Sequence, residues 1–210
     1  MVLSRLDYCS QLWCPLQVGD IQSLKKVQRS YIRKISGVQH LNYWEQLQEL
    51  HLYSLERRRE RYMIIYTWRI LEGQVPNTSS LDNGGIEATY HLRRGRMCQV
   101  PKPRKNAPTQ VQKQRNASLS VRGPRLFNSM PAIIRNIINC STDTYKRSLD
   151  KYLATVPDEP QIPRYTAYRR AETNSLLDMA QFAAPQASPW EVEDYETSSI
   201  RGGQPWSPWE

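Results

Sequence analysis

Nowhere in these 210 residues do two aspartates stand side by side, and no apolar run is long enough to cross a bilayer. Two-metal phosphoryl transfer needs closely placed carboxylates to hold its ions, so the first absence argues against that chemistry. The longest apolar block, Tyr62 to Leu71, is about ten residues and contains Arg69, where a span needs about 20. No membrane partner is expected. The four cysteines, Cys9, Cys14, Cys98 and Cys140, lack the dense spacing of a disulfide framework, and no signal-peptide pattern precedes them. Free, partly buried thiols in a reducing compartment, nuclear or cytoplasmic, are the expectation. Cys9 and Cys14 could form half a zinc site, but His40, His51, His91, Cys98 and Cys140 supply no second close pair. Gly84-Gly85 and Gly202-Gly203 lack the lysine and the strand–helix context of a phosphate loop. No glycine-flanked nucleophile elbow occurs either. The sequence therefore nominates no catalytic residue, no metal ligand and no cofactor.

What the chain does have is positive charge, unevenly placed. The net charge is +9. Within 183–210, Glu191, Glu193, Asp194, Glu196 and Glu210 face only Arg201, giving −4, so residues 1–182 carry +13. A basic body with a short acidic tail favours polyanionic partners, RNA or DNA first, although a merely soluble surface has the same composition.

Aliphatic and aromatic residues crowd into 3–75 and 126–153. After Asp20, a good N-cap, Ile21, Leu24, Val27, Tyr31 and Ile35 recur at steps of three and four until Gly37, which predicts a helix over 20–36. Lys25, Arg29 and Arg33 fall at i, i+4 and i+8 on its other side, flanked by Lys26 and Lys34; a solvated face reads the same way. Asn42 and Glu45 form a capping-box pattern that opens helical sequence over 43–73. Within it, LYSLERRRERYMIIYTWRILEG (52–73) sets four arginines in five positions directly before an apolar block. Ser54 can cap this helix and Gly73 can close it before Pro76. Arg57, Arg58 and Arg59 then sit in the first turn, where the helix dipole disfavours an exposed cation by ~0.3–1 kcal/mol each. Glu56 and Glu60 offer partial local compensation through i, i+3 pairing with Arg59 and Arg57. Trp44, Tyr62, Tyr66 and Trp68 lie at helical spacing, as core aromatics do.

Residues 74–125 show no sustained period and read as a basic loop or extended chain. Gly123-Pro124 reads as a turn, followed by apolar Leu126, Phe127, Met130, Ile133, Ile134, Ile137 and Ile138. Ser141 or Thr142 caps a helix over 142–154 that stops before Pro157. Beyond it the chain is Pro-punctuated, and 160–210 is expected to be disordered. There is no internal repeat.

Five separated blocks, SRLDYCSQLW (4–13), IQSLKKVQRSYIRKISG (21–37), YWEQLQELHLYSLERRRERYMIIYTWRILEG (43–73), GPRLFNSMPAIIRN (123–136) and YKRSLDKYLATVPDEP (145–160), resemble in their order the C-terminal part of reverse transcriptases from non-LTR, LINE-like retrotransposons. The resemblance covers about 1–160. It implies a helical thumb and its continuation, the region after the polymerase palm, which guides a template–primer duplex by backbone contacts. The family's palm motif, Phe/Tyr-Ala-Asp-Asp, has no counterpart in this chain, so no enzymatic activity is implied. Lys25, Arg29, Arg33, Arg57, Arg58 and Arg59 are the positions that map to nucleic-acid contacts. The resemblance also implies that Met1 descends from an internal methionine of a longer protein.

The expected fold is thus mainly α: a thumb-like helical bundle over 1–75, an irregular basic linker over 76–125, a further helical segment over 126–156 and a largely disordered tail over 157–210. The expected role is a non-catalytic remnant with at most sequence-independent binding of RNA or DNA backbone. The alternative is a protein-interaction or self-associating helical module, its apolar faces left uncovered by the missing palm.

Overall fold

A computed structural model describes residues 8–10, 15, 18–76, 86–91, 95–102, 107–159 and 174–177. Its elements are α1 (Val18–Ile32), α2 (Tyr43–Glu49), α3 (Leu55–Leu71), β1 (Ala88–His91), β2 (Gly95–Cys98), α4 (Thr109–Ala117), α5 (Leu119–Ser129), α6 (Ala132–Arg135) and α7 (Thr142–Thr155). The fold is mainly α, with one two-stranded antiparallel sheet among the described residues.

Local chemistry sets most helix ends. The last turn of α1 tightens, Lys34 donating to the Tyr31 carbonyl and Ile35 to that of Ile32, before Gly37 takes φ +93°. Asn42 makes both halves of the capping box of α2, accepting from the Trp44 and Glu45 amides while its own amide donates to Glu45. The Ser54 hydroxyl accepts from the Arg57 amide to start α3, and Gly73, at φ +67°, ends it. Helical sequence over 43–73 is therefore two helices, parted at 50–54, where His51 adopts φ +51°. Ser141 caps α7 by accepting from the Thr144 amide.

α3 is the central element, packed against α1, α5 and α7. Met63, Ile64 and Trp68 of α3 meet Leu126 and Phe127 of α5 and Tyr145, Leu149 and Leu153 of α7 in one core. Trp68 stacks on Tyr145 with ring centroids 4.3 Å apart and planes 7° from parallel, and its indole N–H donates to the Ile137 carbonyl at 2.8 Å. Both polar and apolar surfaces of that indole are thus satisfied. Trp44, Tyr62 and Tyr66 are only partly buried.

The segment expected to be an irregular linker holds the hairpin, α4 and the whole start of α5. Gly123-Pro124 is not a turn: Pro124 lies inside α5. Packing explains why. A Cβ on Gly123 would stand 2.5 Å from the Thr67 hydroxyl, so the glycine is what lets α5 approach α3 this closely. Burial of Val121, Leu126 and Phe127 by that approach outweighs the helix bond that Pro124 cannot donate.

The hairpin pairs Ala88 with Cys98 and His91 with Gly95. It is stitched to the helices by side chains: Asn128 exchanges two hydrogen bonds with the backbone of Cys98, Asn136 accepts from the Arg96 amide, and buried Arg135 donates to the Arg96 carbonyl. The core draws on residues from 63 to 176. Boundaries at 75, 125 and 156 therefore cut through one packed unit. Residues 160–173 and 178–210, and the disorder expected of them, lie outside the described residues.

Candidate nucleic-acid interface

Gln28 decides which way α1 faces. Wholly buried, it donates to the Tyr53 carbonyl at 3.1 Å and accepts from the Tyr43 hydroxyl at 2.8 Å and the Leu55 amide at 3.2 Å, fixing α1 to the start of α3. That orientation turns Lys25 inward, its ammonium 3.4 Å from Glu56 and its side chain 15% exposed. Arg29 lies over the Tyr43 ring, 4.7 Å from its centroid. Of the three cations at i, i+4 and i+8, Arg33 alone is exposed; the open face instead carries Lys26, Arg33 and Lys34 around Val27, Ser30 and Tyr31. Lys26, Val27, Ser30, Tyr31 and Lys34 border a shallow depression of about 430 Å³.

The arginine run points elsewhere. Arg57 has no exposed surface; it donates to the Pro157 carbonyl at 2.8 Å, and its Nε lies 3.6 Å from Asp158. Asp158 also accepts from the Ser54 amide and hydroxyl and from the Asn174 side chain, at 2.6, 2.8 and 2.7 Å. Arg61 grips Asp150 of α7 through both carboxylate oxygens, at 2.5 and 2.7 Å. Arg59 is 8% exposed and borders a cavity of about 60 Å³ with Lys25, Glu56, Glu60 and Arg122. Arg58 is half-buried. Arg57 is thus withdrawn from any phosphate contact and Arg59 nearly so, a correction to what the resemblance implied. The charge that opposes the α3 dipole is offset by a carboxylate placed over the same helix start.

Glu60 is a buried carboxylate of this region, and it reaches well beyond its own helix. It is bonded to Arg122 at 2.9 Å, to the Ser175 hydroxyl at 2.5 Å and to the Leu176 amide at 2.8 Å. Burial pushes its carboxyl above the usual range, against the pull of Arg122 and the two hydrogen bonds. Burial likewise raises Tyr43 to about 12, opposed by Arg29, which marks it as a neutral phenol seated under a cation.

Sequence reasoning singled out neither Asp158 nor Asn174, and it gave Glu60 only a local role. Asp158 is the one with a signal, standing directly after the proline that ends the helical pattern, where a short acidic side chain is free to cap something else. Among the described residues no group of three or more His, Cys, Asp or Glu is placed to hold a metal ion, and no helix is long and apolar enough to cross a membrane. Compared with protein-family models, curated proteins and solved structures, the chain matches none of them.

Proposed function

We propose that this chain is a non-catalytic relative of the thumb and post-thumb region of non-LTR retrotransposon reverse transcriptases, binding RNA or DNA backbone without sequence preference. The observation that carries the binding is the exposed cationic face of α1, where Lys26, Arg33 and Lys34 surround Tyr31 and Val27 on a body of net charge +13. Such a face tracks a phosphate backbone and reads no base edge. The retroelement relationship is supported by the five ordered sequence blocks.

The test is fluorescence anisotropy of labelled RNA and DNA oligonucleotides across a salt series. Replacing Lys26, Arg33 and Lys34 by Gln is expected to flatten the slope of log affinity against log salt by up to about three units, roughly one for each phosphate no longer neutralised. Arg57→Gln should leave the slope alone. Absence of binding at about 50 mM salt overturns the reading. Template-directed nucleotide incorporation with magnesium or manganese, surviving repurification, would overturn its non-catalytic part.

One observation favours the interaction-module alternative: Ile133 is 70% exposed and Ile138 43%. Under that reading association persists at high salt, and Ile133→Ser abolishes it.

A further inference from the structure

The open face of α1 combines two exposed apolar groups, Val27 at 44% and Tyr31 at 36%, with the cations Lys26, Arg33 and Lys34. The sequence contains one stretch of complementary character, WEVEDYE (190–196), in which Glu191, Glu193, Asp194 and Glu196 are interleaved with Trp190, Val192 and Tyr195. We propose that this acidic aromatic segment docks on the cationic face of α1 and competes there with nucleic acid. The competition rests on the function proposed above; the docking does not.

Reach, charge and the alternatives all favour this pairing. The tail leaves the described fold at Leu177, beside Leu176, whose amide is held by Glu60, and Glu60 borders the same small cavity as Ile21 and Lys25 of α1. Twelve residues lie between Leu177 and Trp190, and the thirteen steps from one to the other can span at most about 45 Å. The route around a helix about 10–12 Å across is far shorter. Lys26 and Lys34 are eight residues apart, about 12 Å along the axis, and the chain from Glu191 to Glu196 can cover at most about 17 Å, so the two sets of charges match in length. A depression of about 310 Å³ between α2 and the end of α7 has no lysine or arginine on its border and carries Glu159, so it offers an acidic segment no charge partner. Tethering supplies the rest, because a short linker raises the effective concentration of a weak ligand to the millimolar range.

The test uses the full chain at about 50 mM salt, where the Debye length exceeds 10 Å. A zero-length carbodiimide joins amines to carboxylates that touch. The expected products are links from Lys26 or Lys34 to Glu191, Glu193, Asp194 or Glu196 in material of monomer size, lost when salt is raised. Changing those four acids to Gln or Asn in the full chain is expected to tighten binding of a labelled oligo(dT) of about 20 nucleotides by roughly three- to tenfold. The gain should vanish when Lys26 and Lys34 are Gln. Links found only in dimer-sized material make a second copy the occupant and overturn the proposal, as does their absence. Monomer-sized links with no oligonucleotide binding by either chain sustain the docking and overturn the nucleic-acid reading alone. Unchanged oligonucleotide affinity in a chain that does bind overturns the competition.

Discussion

Asp158 and Arg57 stand 3.6 Å apart, carboxylate to guanidinium, and the same carboxylate accepts the Ser54 amide at 2.6 Å, so one acidic side chain both caps α3 and neutralises its first buried cation. Removing either partner leaves the other charge enclosed. Such losses cost about 3–5 kcal/mol, of which the partial exposure of Asp158, 19%, returns some. Arg57→Gln and Asp158→Asn are each expected to lower the melting temperature by roughly 6–12 °C, and the double change by less than the sum. Thermal denaturation followed by circular dichroism measures this; an unmoved midpoint for Arg57→Gln would show that the cluster carries no stability.

Gly123 faces Thr67 at a distance that admits no extra atom. Gly123→Ala should destabilise by about 1–3 kcal/mol, since the new methyl group would lie 2.5 Å from the Thr67 hydroxyl. Thr67→Ala in the same chain removes the clash and should restore part of the loss. Equal destabilisation of the single and double variants in urea melts would refute a steric cause.

Burial pushes the Cys98 thiol from its ordinary 9.0 up to about 12. At about pH 8 it is a protonated, enclosed thiol, so iodoacetamide should modify half-buried Cys140 well before Cys98 in the folded protein. Because the folded value is raised, the stability linked to this thiol is full below about pH 9 and is lost as pH climbs towards 12. Peptide mapping after timed alkylation decides it, and early labelling of Cys98 would contradict the enclosure.

Glu60 should leave a signature at acid pH. Its folded pKa is raised above the ordinary 4.5, so the fold holds this proton more readily than the unfolded chain does. The associated stability is present below about pH 4.5 and declines as pH rises through the folded value. The difference in unfolding free energy between the natural chain and Glu60→Gln is therefore expected to shrink as pH rises above about 4.5. A flat difference would mean that Arg122, Ser175 and Leu176 compensate the burial completely.

Helix ends were readable where a local cap makes them, as Asn42 with Glu45, Ser54, Ser141 and Gly73 do; α1 departs from its reading, starting at Val18, so that Asp20 lies in its first turn and is not its cap, and ending at Ile32, five residues before Gly37. Trp68 was readable as core for the same reason: helical spacing is a local property. What could not be read depends on partners distant in sequence. Gly123-Pro124 carries the local chemistry of a turn, and only the approach of Thr67 makes it helix. Lys25 and Arg29 continue the spacing of Arg33, yet the buried Gln28 between them rotates that row towards Glu56 and Tyr43. The arginine run was the clearest such case: its charge suggested an outward face, and the residues that draw Arg57 and Arg61 inward lie about 100 and 90 positions further along.

Residues 174–177 close the start of α3: Asn174 bonds Ser54 and Asp158, while Ser175 and Leu176 bond Glu60. Chains emerge from the ribosome N-terminus first, so α3 is made long before the groups that neutralise its buried charges. Until Leu177 has left the exit tunnel, Arg57 and Glu60 must do without these later partners, and the first helices wait on a segment made 115 positions later. The order of synthesis is thus the reverse of the order in which the polar seal can be completed. Slow translation across 158–177 would prolong the interval in which Arg57, Ser54 and Glu60 are without these partners.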